Sequence, residues 1–377
     1  MKHNSRKHFM LATEYLKHLQ DLSTRFSHSE AVPEKNKSPL DIMQEAFSPE
    51  LKKLFVDASR KLRRKFREEA YGIALPENEE GKPYDWMIIV NQLLEYWDAF
   101  SNRSGYVVSP RPTFGILPIG SMDAVTIRVP ESQEYLIVFN EGLFLYLYQL
   151  AKIITVSASS PWVEGDSGVH ARIPGICRDK FRELLLRYVM FGKPQNTEQW
   201  LLEPNLLGPL QALTTSAEFF LLAHEIQHVG GTSESFPNLK REFHGEEVNS
   251  VDMSIEREPM ADALATAHTI SALVEKLDPG LVWAGIELAV CARELVENAF
   301  KLFNNEDAID RPIFYNVRSL IIEGLLENKL PEHALQLLPF NRLVRSILDS
   351  LWQDIRPRFI KLRDSGAAPA KVWSPVG

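Results

Sequence analysis

Two histidines stand four residues apart in the sequence HEIQH, at His224 and His228, with Glu225 between them. On a helix, residues four apart lie on one face, so both imidazoles can reach one metal ion. Zinc is the usual ion in this pattern, and the glutamate acts on a zinc-bound water. The apolar run Phe219–Ala223 before the motif and Gly230–Gly231 after it predict a buried helix that ends just past the second histidine.

A catalytic zinc ion takes three protein ligands and keeps one position open for water. Glu258 is the candidate for the third ligand, and Asp262 lies one helical turn beyond it. Asp262 is expected to accept a hydrogen bond from a ligating histidine, most simply His224, and so to fix its tautomer. Pro259 restricts the residue before it, which predicts that Glu258 begins its helix.

HExxH followed by a glutamate and, three residues later, by Ala-Asp is similar to the active-site helices of gluzincin zinc peptidases. The resemblance covers residues 216–268. It implies peptide-bond hydrolysis with Zn²⁺, and soluble bacterial-type proteins of this kind often cleave one intracellular protein. By this resemblance the zinc ligands would be His224, His228 and Glu258, the general base Glu225 and the carboxylate behind a histidine Asp262.

Other residues compete for the third ligand position. Gly231 lies three residues after the second histidine, as in metzincins, and Glu234 then occupies the place of the metzincin third ligand. His244, Glu246 and Glu247 lie in the same polar segment. Carboxylate oxygen and imidazole nitrogen both bind zinc, so each of these remains an alternative to Glu258.

The oxyanion formed during peptide hydrolysis is often stabilised by a histidine, tyrosine or arginine donor in addition to the metal. By residue type the candidates are His244, Tyr315 and Arg318. His268 follows Glu258 by nearly three helical turns, about 15 Å of helix rise, so it is expected to be a core or surface histidine.

The composition is that of an ordinary globular protein: 377 residues, 45% hydrophobic and 24% charged, with a net charge of −8 that argues against a general nucleic-acid binder. The two cysteines, Cys177 and Cys291, are too few for a disulfide framework and are expected to be buried thiols. We find no secretory signal and no apolar run of membrane-spanning length. These features predict a cytoplasmic protein with a protein or peptide substrate, and they leave the oligomeric state open.

The fold is expected to be α+β and predominantly helical, with a small, mostly antiparallel sheet beside the two zincin-like helices. Short β-favouring runs lie between residues 106 and 139, and Tyr135–Phe139 is a candidate for the edge strand that binds an extended substrate. A helix with a solvated basic face is predicted at 48–67. The expected regions are an N-terminal helical region (1–104), a zincin-like domain (105–330) with lid or insert loops (157–205, 232–252), and a C-terminal helix and tail (331–377).

The leading hypothesis is a zinc-dependent intracellular endopeptidase that uses Glu225 as general base. A second hypothesis is a partner-binding protein with a structural or vestigial zinc site. A third is a zinc amidohydrolase that acts on a non-protein amide. Zinc analysis and a protease assay on a broad protein mixture separate the first two.

Overall fold

The computed structural model describes residues 11–29, 86–119, 121–160, 162–165, 168–171, 173–192, 200, 202–230, 238–243, 246–251, 258–303, 313–329 and 331–367. The helix predicted at 48–67 and the alternative ligands Glu234 and His244 lie outside these residues.

The described chain is predominantly helical, as the apolar periodicity predicts. The helices are α1 (Ala12–Ser29), α2 (Met87–Ser104), α3 (Glu141–Ser159), α4 (Gly175–Phe191), α5 (Leu207–Gly230), α6 (Glu258–Leu273), α7 (Pro279–Phe303), α8 (Ile313–Lys329) and α9 (Pro331–Asp364). Helix α7 has the bounds of its apolar pattern, whereas α9 runs on past the predicted end at Trp352, with Pro357 inside it. The α+β, predominantly helical class is therefore confirmed.

A five-stranded sheet accompanies the helices, in the order β1-β3-β2-β7-β6. Strands β1 and β3 are parallel, and the other three pairs are antiparallel, as expected for a mostly antiparallel sheet. Strands β2 and β7 are paired only between Ile127 and Ser250. The strands are β1 (Thr113–Leu117), β2 (Ala124–Arg128), β3 (Tyr135–Asn140), β6 (Asn238–Phe243) and β7 (Glu246–Val251); β4 (Trp162–Gly165) and β5 (Gly168–Ala171) form a separate hairpin.

Several local expectations were wrong. Tyr135–Phe139 is not an edge strand, because β3 lies between β1 and β2 and has a partner on each side. Hairpins occupy parts of both segments expected to be loops, 157–205 and 232–252, because hydrogen bonding along the hairpin does not need the apolar alternation that marks a half-buried strand. Tyr106–Val108, expected to be a strand, has no strand partner.

One large hydrophobic core surrounds α5, and it includes residues from all three predicted regions, such as Trp97, Phe220 and Trp352. The division into those regions stays a prediction. Helix α7 crosses α5 very closely at Gly285, where a Cβ atom would lie 2.5 Å from Ser216 Cβ and 2.7 Å from the carbonyl oxygen of Leu213. A second, smaller core lies between α1 and the sheet.

Two segments are long and apolar enough, by length and composition alone, to cross a membrane: Glu141–Ser159 and Pro204–Gly230. Most of the apolar window in each, 72% and 61% respectively, is buried inside the protein. Core helices of soluble proteins have the same property, so these segments are weak evidence for a membrane span, and the expected absence of a span stays a prediction.

Candidate metal centre

The two histidines of HEIQH point into one cleft. Helix α5 is apolar on nearly all sides because it passes through the core, and it places His224 and His228 almost out of contact with solvent, at 3% and 5% exposure. Their Nε2 atoms lie 3.1 Å apart. Two imidazole nitrogens this close, with their lone pairs directed to the same point, can share one cation.

Glu258 contacts both imidazoles from the first turn of α6, so it begins its helix as Pro259 predicts. Its Oε2 lies 3.3 Å from Nε2 of His224, and its Oε1 lies 3.7 Å from Nε2 of His228. Tetrahedral zinc with bonds of about 2.0–2.1 Å separates its ligand atoms by about 3.3–3.4 Å. The observed separations bracket that value, so the three side chains fit a zinc ion with little rearrangement.

Glu225 is the alternative third ligand on proximity alone, because ligand atoms of His224, Glu225 and His228 all lie within 4.8 Å of one another. Its carboxylate, however, is held by the sheet: Thr126 Oγ1 donates a 2.8 Å hydrogen bond to Oε2 of Glu225. The distances therefore favour Glu258 as the third ligand and leave Glu225 beside the ion position.

A buried ion pair stands behind His224. Oδ1 of Asp262 lies 2.9 Å from Nδ1 of His224, at an angle poorer than that of a good hydrogen bond. Arg318 from α8 contacts both carboxylate oxygens of Asp262. Such an arrangement favours a proton on Nδ1 and a lone pair on Nε2, the atom that faces the cleft. By contrast, Nδ1 of His228 is buried and has no hydrogen-bond partner among the residues described.

The pKa shifts of the three proposed ligands oppose one another. Burial lowers the pKa of His224, but its contacts with Asp262 and Glu258 outweigh burial and raise this pKa to about 9. Burial, followed by the charge of His224, lowers the pKa of His228 to about 3. Burial raises the pKa of Glu258, yet its contact with His224 and the charges of both histidines bring it below the ordinary value. The trio thus holds positive charge where a metal cation would sit.

The carboxyl group of Glu225 has a different environment from that of Glu258. Burial raises the pKa of Glu225 to about 7, against the charge of His224 and the hydrogen bond from Thr126. A carboxylate with a near-neutral pKa is suited to accept and return a proton.

The cleft around these residues encloses about 790 Å³, counting the solvent space at its mouth. Strand β2 and the two residues before it form one wall, whereas β3, the strand predicted to border the substrate, contributes no lining residue. The lining residues are Met122, Asp123, Ala124, Val125, Thr126, Leu143, Leu147, Phe220, Leu221, His224, Glu225, His228, Glu258, Ala289, Val290, Arg293 and Arg318.

The predicted oxyanion donors have different outcomes. Arg318 lines the cleft but is bound to Asp262. Tyr315 lies on α8, where its side chain is not among those described, as is also true of Glu246 and Glu247 on β7.

His268 is a core histidine outside the cleft, as expected. It packs against the rings of Trp97, Phe100 and Tyr106, and burial lowers its pKa to about 4. Its Nδ1 lies 3.2 Å from Nε2 of Gln227, whose Oε1 accepts a hydrogen bond from the Tyr106 hydroxyl. This cluster links α2, α5 and α6 behind the metal centre. Cys177 and Cys291 are free, buried thiols, also as expected.

Two residues of the cleft escaped the sequence analysis, Thr126 and Arg293. Neither belongs to a spaced motif, and each reaches the cleft only because β2 and α7 pack against α5. Comparisons of the chain with protein-family models, curated proteins and solved structures found no match. The functional argument therefore rests on the residues of the cleft.

Proposed function

We propose that the protein is a zinc-dependent endopeptidase in which His224, His228 and Glu258 hold the ion and Glu225 is the general base. The observation that supports this most strongly is the set of separations of 3.1, 3.3 and 3.7 Å among the three ligand side chains. A fourth group, the Glu225 carboxylate, stands beside them without being needed as a ligand. Three protein ligands and an open cleft are typical of catalytic zinc, whereas structural zinc is closed by four ligands.

Bound zinc would supply Lewis acidity at the cleft, for a water molecule and for the carbonyl of the scissile bond. Glu225 accepts the proton of the attacking water and returns it to the leaving amine as the C–N bond breaks. Thr126 keeps the carboxylate of Glu225 turned towards this position. Asp262, held by Arg318, keeps the Nδ1 proton on His224, so that Nε2 remains free to bind the ion.

Strand β2 is the proposed guide for an extended substrate. Ala124, Val125 and Thr126 line the cleft, and within the described residues β2 is paired with β7 only at Ile127. Backbone groups along the cleft side of β2 are thereby available to pair with an extended peptide. This assigns to β2 the role that the sequence suggested for β3.

The decisive experiment combines metal analysis with a protease assay on a mixture of denatured proteins. In the wild-type protein we expect one zinc per chain and cleavage that a chelator abolishes. Glu225→Gln should retain the zinc and lose activity by about 10²–10⁴-fold, the usual contribution of a general base. Glu275→Gln, the same chemical change at an exposed position, is the control. Full zinc occupancy with undiminished cleavage in Glu225→Gln would refute the role of this residue.

A metal-free wild-type protein, even after zinc is added, would overturn the proposal as a whole. Full zinc occupancy without cleavage of any protein would favour the partner-binding alternative. Cleavage confined to small amides would favour the amidohydrolase alternative.

A further inference from the structure

We infer that Arg293 selects substrates that carry a carboxylate near the scissile bond. The inference rests on the proposed peptidase function and adds to it a substrate class and a residue that recognises it. Carboxylates reach such a site from two sources, an acidic side chain or a free C-terminus, and both have the same chemistry.

Arg293 belongs to the wall of the cleft. Helix α7 contributes Ala289, Val290 and, one turn later, Arg293 to the lining, although α7 carries none of the proposed metal ligands. The side chain of Arg293 is 49% exposed, so its guanidinium is accessible to a bound molecule. Arginine matches a carboxylate with two parallel N–H donors, which gives both strength and orientation.

The local pairing of Arg293 does not account for its position. Nε of Arg293 donates to Oε1 of Glu297 at 3.3 Å, one turn along the same helix, and both side chains are partly exposed. Exposed pairs with this spacing contribute about 0.3–0.5 kcal/mol. An arginine placed further from the cleft would serve that pairing equally well.

A fixed positive charge at this place also opposes metal binding. The charge of Arg293 reaches the centre, since it lowers the pKa of Glu225, His228 and Glu258. The same field repels a divalent cation held by these groups. A cation that weakens the metal site and stabilises the fold only slightly is explained by an anion that it binds during function.

Arg318 does not have this property, although it lines the same cleft. It is 3% exposed and contacts both oxygens of Asp262, so its donors serve the ion pair behind His224. Arg293 is the arginine of the cleft that combines exposure with proximity to the metal ligands.

The rest of the lining is compatible with a peptide whose charge is local. Leu143, Leu147 and Phe220 form an apolar surface for neighbouring side chains. Asp123, which precedes β2, adds a negative charge on a different element from α7. A substrate carboxylate is therefore attracted towards α7 and repelled from the start of β2, which orients the peptide across the cleft.

The test uses zinc-loaded full-length protein and synthetic peptides in matched pairs. One arm compares Glu with Gln at each position flanking the cleaved bond, and the other compares a free C-terminus with its amide. We expect one arm to show a preference for the carboxylate of about 10- to 100-fold in kcat/KM, the range of a hydrogen-bonded charge. Arg293→Gln should reduce this preference to less than about 2-fold while leaving cleavage of neutral peptides in place.

Two further variants sharpen the result. Arg293→Glu should reverse the preference towards Lys-containing peptides, and Arg293→Lys should retain part of the original preference. Glu297→Gln and Arg111→Gln, which change charge outside the cleft, are the matched controls and should keep the wild-type preference. Zinc competition with a chelator should show that Arg293→Gln binds zinc at least as tightly as the wild type, because a repulsive charge is gone.

Equal cleavage of acidic and neutral peptides by the wild type would overturn the inference and leave the peptidase standing. So would a carboxylate preference that persists in Arg293→Gln, or weaker zinc binding by that variant. Failure to cleave any peptide, neutral ones included, would instead overturn the peptidase and this inference with it.

Discussion

Nδ1 of His224 lies 2.9 Å from Oδ1 of Asp262, and this contact joins α5 to α6 inside the core. Asp262 has no solvent exposure, and Arg318 brings α8 to the same carboxylate. Three helices therefore meet at one ion-paired group directly behind a proposed metal ligand. Because the charges are buried, each is stable only while the other is present.

Asp262→Asn tests this relationship. It leaves Arg318 buried without its counter-charge, which should lower the free energy of unfolding by about 3–5 kcal/mol. Zinc affinity should fall by about 10–100-fold, as for other partners of ligating histidines. Urea unfolding of the metal-free protein and chelator competition measure the two effects separately.

The double variant Asp262→Asn with Arg318→Met separates stability from metal binding. Removal of both charges should restore much of the lost stability while zinc binding stays weak, because His224 still lacks its carboxylate. Recovery of zinc affinity in the double variant would show that Asp262 acts on the fold rather than on His224.

Glu258→Ala tests the third ligand. Loss of a direct ligand should lower zinc affinity by more than the roughly 100-fold upper range for supporting residues. Isothermal titration of the metal-free protein with zinc gives the affinity, and Glu275→Ala serves as the control at an exposed site. Unaltered affinity in Glu258→Ala would move the third ligand to Glu234 or His244.

Thr126→Val tests the support of the general base. The substitution keeps the shape of a buried residue and removes the hydroxyl that donates to Glu225. A hydrogen bond to a charged group contributes about 1.5–3 kcal/mol, so kcat should fall by about 10–100-fold. Thr126→Ser should recover most of kcat, and both variants should bind zinc normally. A kcat unaffected by Thr126→Val would mean that Glu225 is oriented by other contacts.

Glu218 should make stability depend on pH. Burial raises the pKa of its carboxyl from 4.5 to about 8, so the folded protein keeps a proton that the unfolded chain releases between these values. Stability contributed by this site is therefore present at low pH and falls as pH rises through that window, by at most about 1.4 kcal/mol per unit. The stability of Glu218→Gln relative to the wild type should rise with pH, as measured by urea unfolding from pH 5 to 9. A difference independent of pH would contradict the shift.

The helices of the centre could be predicted because their determinants are local. The spacing of His224 and His228 puts them on one face of any helix, and Pro259 places Glu258 at a helix start in any tertiary setting. Asp262 follows one turn later, so the likeness to gluzincin helices carried the same information. What spacing alone could not give was the distance between α5 and α6, which the core determines.

The remaining parts of the cleft depend on contacts between distant segments. The parallel pairing of β1 with β3 makes β2 the strand next to α5, and nothing in the strand sequences predicts that order. Thr126 is a single threonine in a β-favouring run. Arg293 lies on a helix whose pattern predicts only an apolar face and a polar one, so the packing of α7 alone brings it to the cleft.

The near-contact between Gly285 and Ser216 has a consequence for how such a cleft could change. Arg293 follows Gly285, and His224 follows Ser216, by the same length of helix, about two turns. A side chain at position 285 would act as a wedge between α5 and α7 and move the guanidinium away from the imidazoles. The gap between the cation of α7 and the metal position is thus adjustable through one hydrogen atom's worth of space, without alteration of any group that performs chemistry.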